Sequence, residues 1–392
     1  MYIPQISASC HLQAGRSEEI GFSHGEIMSP SSLTALIDDI RHNCEISDAR
    51  DHGIYSMCTL VLKLRNLYKW ENALQPWEEP EVAILLDWID AKENYWATLA
   101  EEPFRPLSVS GKIIDPFDLE DVNETMNGTL LYGAGFGRSL KTVFFLAEKR
   151  EQRMVEGCPV MILGREQARE MASPFAMVQD GRIIIRTQSL RYYFWDQIQE
   201  VRSSCRSSLQ LALVPYGVLT GGGALDQQRF RETLDTIVEE EMNLFIYHEV
   251  GEILQTTLTS ASLRAVISCF PGSVLEFVSR AVKDVLADTH PRGLLAYIVR
   301  ERRRSSLGFY LTFLDGLRKT LFPEAQSAWQ LFLSDGDWNH IERARHDCWR
   351  KNQLVAEQIA TLALMIGTDS DEKILTRFNT EVLAPLGLNS TG

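Results

Sequence analysis

The sequence predicts an α+β protein in which helices predominate. Three observations favour this fold class: helical patterns fill most of residues 1–102, short β-rich runs occupy 103–215, and helical patterns return over 226–392. Of the 392 residues, 45% are apolar and 23% are charged. This balance is typical of a folded globular protein, and the length suits two or three domains.

Residues 1–102 are predicted to form an acidic helical region. Helices are expected near 31–44, 53–74 and 80–99, and Pro76 ends the second because proline has no amide hydrogen to donate. The region holds 17 acidic and 7 basic residues, so it carries about −10 of the net charge of −14. This charge indicates a solvated face or a docking surface for a basic protein partner. It disfavours nucleic acid as a partner, because phosphates would be repelled.

Residues 103–215 are predicted to form a small α+β domain with mainly antiparallel strands. Asp180-Gly181 indicates a tight turn between 175–178 and 182–186, because both residues tolerate positive φ. Helices are expected at 165–172 and 190–201. The remaining strands are expected at 107–114, 129–132, 142–147 and 160–163.

The segment 216–225 is glycine-rich and is interpreted as a linker. Asp226 follows it and can cap a helix, so 226–392 is predicted to be a helical domain. Its helices are expected at 226–256, 260–269, 272–288, 291–305, 307–321, 324–333, 337–366 and 370–383.

The sequence contains no secretory or membrane-spanning pattern. It opens without a basic segment followed by an apolar run, and every apolar stretch is far shorter than the roughly 18 residues that a span needs. The seven cysteines are scattered along the chain, and no two of them have the Cys-x-x-Cys spacing. A cytoplasmic location without membrane contact is therefore expected. The glycines of 133–137 are interpreted as part of a hairpin or a bulge, since only four residues separate them from the next apolar run and no crossover helix fits there.

The segment 237–254 carries the strongest chemical signal. On a helical wheel, His248 and Glu252 share a narrow band with apolar residues, so an imidazole and a carboxylate should face protein. Because the two are four residues apart, their tips can converge. Gly251 is costly within a helix, which indicates that another element packs closely there. The band comprises Leu234, Val238, Glu241, Phe245, His248 and Glu252.

The stretch His248-Glu249-Val250-Gly251-Glu252 resembles the active helix of zincin metallopeptidases, whose motif is His-Glu-x-x-His. The resemblance implies that His248 binds zinc or another divalent metal ion and that Glu249 activates water as the general base. It also implies that Glu252 replaces the second histidine ligand. In one branch of that family a downstream glutamate completes the site, and Glu276 is the best-placed candidate.

Three further residues are alternative ligands. Glu342 and His346 are four apart in a predicted helix and repeat the pairing in reverse order, and His290 lies at a helix boundary. Glu342 and His346 could equally form a surface pair, and His248 with Glu252 could form a buried hydrogen-bonded pair that orders the core.

Two functions remain open from the sequence. The first is a metal-binding protein, extending to a diverged zincin-like hydrolase centred on His248, Glu249 and Glu252. The second is a non-catalytic protein–protein interaction or scaffold protein, which the acidic region 1–102 favours.

Overall fold

The predicted fold class is confirmed: a computed structural model of the protein shows an α+β fold that is mainly α. It describes residues 30–109, 111–126, 128–137, 141–201 and 205–388. The first 29 residues of the predicted acidic region lie outside the described ranges.

Three helices form the described part of the N-terminal region, close to the predicted positions. They are α1 (Pro30–Asp51), α2 (Met57–Glu71) and α3 (Val82–Leu99), and a 3-10 turn (His52–Ile54) follows α1. Ser56 caps α2 by accepting a hydrogen bond from the Thr59 amide. The three helices pack around the buried side chain of Trp96.

The central region contains a two-stranded hairpin and a five-stranded sheet. The hairpin is formed by β1 (Leu107–Val109) and β2 (Lys112–Ile114), and α4 (Leu119–Thr125) follows it. The sheet has the order β3-β4-β5-β7-β6, antiparallel throughout except between β5 and β7. Its strands are β3 (Leu130–Phe136), β4 (Thr142–Val155), β5 (Cys158–Arg169), β6 (Ala176–Gln179) and β7 (Arg182–Arg186).

The predicted turn at Asp180-Gly181 is confirmed. Gln179 pairs with Arg182, and the intervening Asp180 and Gly181 have φ of 50° and 70°, as a two-residue hairpin turn requires. The glycines of 133–137 lie at the end of β3, which pairs with β4 as a hairpin.

The helix predicted over 165–172 is wrong, because these residues continue strand β5 to Arg169. The pattern of charged and small residues suits a helix, yet the strand places Glu166 and Arg169 in the interior. There Arg186 donates to Glu166 at 2.7 Å and to Glu170 at 3.2 Å. This buried ionic network, which depends on a strand remote in sequence, overrides the local helix propensity.

The remainder of the chain is mostly helical, as predicted over 190–201 and 226–392, but α6 lies where no helix was predicted, and two predicted helices have different bounds. Instead of helices at 291–305 and 307–321, there are three shorter ones, and Arg302 adopts a positive φ of 51° at the first break. The helices are α5 (Thr187–Gln199), α6 (Arg206–Leu213), α7 (Gln227–Leu254), α8 (Ser260–Cys269), α9 (Val274–Thr289), α10 (Leu294–Arg300), α11 (Arg304–Phe313), α12 (Gly316–Leu321), α13 (Glu324–Asp335), α14 (Asn339–Ala363) and α15 (Asp371–Phe378), with a 3-10 turn (Val214–Tyr216) and a final π-helical turn (Asn379–Leu383).

One hydrophobic core joins the sheet to the helices that follow it. Val160 and Ile183, from one face of β5 and β7, belong to the same buried cluster as Phe194 of α5 and Leu234 of α7. The glycine-rich segment 216–225 contributes Val218 to this core, and Leu219 and Leu225 pack against it. The sheet is therefore the platform against which α7 is held.

Candidate metal centre

Helix α7 begins at the predicted cap. The Asp226 side chain accepts hydrogen bonds from the backbone amides of Gln228 and Arg229, both at 3.2 Å. Leu234 and Val238 are buried, as the shared apolar band predicts. The same band carries His248 and Glu252 against α9.

Helices α7 and α9 approach each other closely at Gly251. A Cβ atom on Gly251 would lie 2.1 Å from the carbonyl oxygen of Ala287, so no larger residue fits without movement. His248 contacts Asp288 and Glu252 contacts Lys283. Residue numbers along α9 decrease as those along α7 increase, so the two helices run antiparallel. Their charged side chains pair in successive turns.

Three side chains of α7 form a compact group of metal donors. His248, Glu249 and Glu252 each offer one ligand atom, and these atoms all lie within 4.8 Å of one another. Glu249 is buried, whereas the side chains of His248 and Glu252 remain 19% and 28% exposed. Within the described ranges, no other cluster of at least three histidine, cysteine or acidic side chains meets this geometry.

The His248 ring is fixed by a carboxylate of α9. Its Nδ1 lies 2.7 Å from Oδ1 of Asp288, which is almost fully buried. Burial opposes a charge on the ring, but the acidic groups of Asp288, Glu249 and Asp284 outweigh it and raise the pKa of His248 to about 10. At neutral pH the ring is therefore a cation that donates from Nδ1 to Asp288.

The two glutamates of the group have opposite protonation preferences. Burial opposes ionisation of Glu252, but Lys283, which donates a hydrogen bond to it, and His248 hold its pKa below the ordinary value. Burial and the neighbouring Glu252 charge raise the pKa of Glu249 to about 8. Burial and mutual repulsion therefore disfavour ionising both carboxylates at once, whereas a bound cation would favour it.

A second cation borders the group from α12. Arg318 lies 3.8 Å from Oδ2 of Asp288, and this buried oxygen has no hydrogen-bond partner in the described part of the chain. Burial raises the pKa of the nearby Asp284 despite His248 and Arg318. The site is therefore a partly buried ionic cluster shared by α7, α9 and α12.

Glu276 does not join this group. Its carboxylate accepts hydrogen bonds from the Gly272 amide at 2.7 Å and from Nε of Arg280 at 2.8 Å. The Ser273 side chain accepts from the Glu276 amide at the same helix start. Glu276 thus closes the N-terminus of α9 in a capping-box arrangement.

The three alternative ligands also lie apart from the group. His290 accepts a hydrogen bond from the Arg292 amide at 3.1 Å, and Glu342 pairs with Arg345 at 2.8 Å. The His346 side chain is 54% exposed. None of the three belongs to the compact donor group, so His248, Glu249 and Glu252 are the predicted residues that the fold brings together.

Sequence reasoning missed Asp288 and Lys283. Both lie on α9, in the stretch VKDVLADT, where they and Asp284 are interspersed with apolar residues. Charged residues in a buried helix would have been the available signal. Their pairing with α7 depends on how the two helices pack, which local spacing does not encode.

The cluster of His248 and acidic side chains lies on α7 and α9, among the helices that follow the sheet. The chain belongs to the DUF6866 family, which is described as a family of unknown function. The N-terminal domain of that family matches residues 35–186, and its C-terminal domain matches 191–381. No curated protein and no solved structure matches the chain. The zincin resemblance therefore rests on residues 248–252, within the C-terminal domain.

Within the described ranges, none of the helices combines the length and the apolar character that crossing a lipid bilayer demands.

Proposed function

We propose that this protein binds a divalent metal ion, with zinc as the best fit, through His248, Glu249 and Glu252. The observation that supports the proposal is the convergence of one nitrogen and two oxygen ligands within 4.8 Å on a single helix. An imidazole with carboxylates is a donor set that zinc accepts, and three protein ligands leave a fourth position open.

The surroundings of His248 suit metal binding. Histidine ligands commonly donate their second ring nitrogen to a carboxylate, which fixes the ring and strengthens the ligand. Asp288 is in that position at 2.7 Å from Nδ1, which leaves Nε2 for the metal. The imidazolium must lose its Nε2 proton when metal binds.

Lys283 competes with the metal. Its ammonium group contacts Glu252, so an entering cation must displace it. Replacing Lys283 with methionine should therefore tighten zinc binding by about tenfold, because one positive charge no longer opposes the ion. If the cluster served only as an ionic link between α7 and α9, this variant would lose stability and gain no metal affinity.

The experiment begins with the metal content of protein purified without an affinity tag, measured by plasma mass spectrometry. Zinc is then titrated into chelator-treated protein by calorimetry. The variant His248→Gln/Glu252→Gln should lose binding, whereas Glu342→Gln/His346→Gln, a histidine–glutamate pair at the same spacing on α14, should bind as the wild type does. Equal zinc affinity in both double variants would refute the proposal.

Hydrolytic chemistry is an extension of this proposal. A zinc-bound water would be activated at the open position. Glu249 could serve either as the third ligand or as the general base, and Glu249→Gln separates these roles. Loss of metal indicates a ligand, whereas retained metal with lost hydrolysis of a quenched fluorescent peptide mixture indicates the base.

A second candidate function is recognition of a basic protein partner by α3. Val82 and Leu86 are 70% and 56% exposed, and the exposed Asp90 and Glu93 continue the same stripe of the helix. Apolar anchors beside acidic residues suit a basic amphipathic helix.

A labelled peptide that forms a helix with one lysine face and one leucine face tests this surface. The peptide should bind the wild type. Leu86→Lys should abolish binding, while Ile113→Lys on β2 should not. Equal binding by the two variants would exclude this surface.

A further inference from the structure

A cavity of about 270 Å³ lies among α6, α11, α12 and α13. Its walls are mostly apolar, and clefts between helices of this kind are frequent small-molecule sites. The volume is below the range typical of drug-sized ligands, so the occupant must be small. The wall residues that matter here are Ser207, Leu314, Lys319, Phe322, Ala325 and Trp329.

The apolar part of the cavity is preformed. Leu314, Phe322 and Trp329 are almost fully buried and belong to the main hydrophobic core, so their positions are fixed by packing. The wall formed by α6 is held just as firmly. A Cβ atom on Gly308 of α11 would lie 2.6 Å from the Ser208 carbonyl oxygen, which shows that the two helix backbones are already in contact.

The cavity exists because small side chains face large ones. Ser207 and Ser208 on α6 and Ala325 on α13 contribute little volume opposite the aromatic and leucine side chains. Since the backbones cannot approach further, the space persists. A longer apolar side chain at Ala325 would fill it.

A positive charge lies on the lining. Lys319 is exposed, and no carboxylate among the described residues forms an ion pair with it. Most other cations in the helical half are paired, as Lys351 is with Glu324 and Lys283 with Glu252. An apolar cavity with one ammonium group that forms no ion pair with a described residue is complementary to a small anionic amphiphile.

We propose that this cavity binds a small monocarboxylate with an apolar body, either a medium-chain aliphatic acid or an aromatic acid. The hydrocarbon part would lie against Leu314, Phe322 and Trp329, and the carboxylate would accept hydrogen bonds from Lys319. Such charge-assisted hydrogen bonds are stronger than neutral ones. This site is separate from the proposed metal centre and does not depend on it.

The test uses octanoate as the probe, with 1-octanol as its uncharged counterpart, and calorimetry on the full chain. Octanoate should bind the wild type more tightly than octanol does. Lys319→Met should weaken octanoate binding by about tenfold, the effect of one charged hydrogen bond, and leave octanol binding unchanged. Lys112→Met, which removes an exposed lysine on β2, should alter neither.

A second experiment fills the cavity with a larger side chain. Ala325→Leu should abolish binding of both probes, and Ser207→Phe on the opposite wall should do the same if Ala325→Leu unfolds the protein, which thermal denaturation would show. Octanoate binding that survives in a folded filled variant would overturn the proposal. So would equal losses in Lys319→Met and Lys112→Met, or the absence of octanoate binding to the wild type.

Discussion

His248 derives its properties from a carboxylate that is 40 residues away in the chain. Replacing it with alanine leaves Asp288 buried with only the more distant Arg318 as a cation. We expect His248→Ala to lower the free energy of unfolding by about 1–3 kcal/mol, measured by urea denaturation with a chelator present. His346→Ala, at a side chain that is 54% exposed, should change it by less than about 0.5 kcal/mol. Similar losses in both variants would show that the Asp288 contact contributes nothing.

The pair of His248 and Asp288 also predicts that the free energy of unfolding depends on pH. The pKa of His248 is raised from 6.5 to about 10, so its contribution is complete below pH 6.5 and is lost as the pH rises through 10. The pKa of Glu249, raised from 4.5 to about 8, acts in the same direction at lower pH. Without metal, the free energy of unfolding should fall by on the order of 2–4 kcal/mol between pH 6.5 and 10.

Urea denaturation at a series of pH values checks this dependence. His248→Ala should show a shallower decline than the wild type over that range, because the titrating ring is gone. Parallel curves for the two proteins would mean that other groups cause the decline.

Only part of the site could be predicted from the spacing of residues in the sequence. The spacing of His248 and Glu252 was sufficient to predict a shared face, because helix periodicity is local. The sequence also carried a signal against Glu276 as a ligand: Ser273 precedes it by three residues, the spacing of a capping box. The partners Asp288 and Lys283 could not be predicted, since they depend on the register between two helices.

At the scale of elements, the contact between α7 and α9 depends on Gly251. Alanine is normally favoured over glycine within a helix by about 1 kcal/mol. At this position the added Cβ would lie 2.1 Å from the Ala287 carbonyl oxygen, and a backbone atom cannot move aside cheaply. We expect Gly251→Ala to lower the free energy of unfolding by about 1–3 kcal/mol and to weaken zinc binding, because the helices must separate.

Gly53→Ala is the matched control, because nothing lies within 4 Å of a Cβ atom there. It should be neutral in thermal and urea denaturation. A stabilised Gly251→Ala would contradict the close approach of the two helices.

Strand β5 shows where local patterns fail. Its second half, Gly164 to Arg169, contains residues that favour helices, and the sequence predicts a helix there. The strand is selected instead by its pairing with β4 and by the buried contact of Glu166 with Arg186, whereas β7 pairs with the first half of β5. The Asp180-Gly181 turn was predictable because its information lies within four residues.

At the scale of the whole molecule, the two matched family domains meet between residues 186 and 191, at the junction of β7 and α5. The hydrophobic core nevertheless crosses this junction, because Val160 and Ile183 of the sheet pack with Phe194 and Leu234 of the helices. Two sequence units therefore share one interior, and we expect neither half to be stable alone.

The segment 216–225 tests this organisation. Gly221, Gly222 and Ala224 are exposed, whereas Val218 is buried and Leu219 pairs with Leu225. We expect elastase, which cleaves after small residues, to cut the segment early in limited proteolysis. The two fragments should then co-elute in size-exclusion chromatography and separate only in denaturant, because the shared core still joins them. Fragments that separate in native buffer would establish two independent domains, and cleavage elsewhere with 216–225 intact would show that the segment is not an exposed linker.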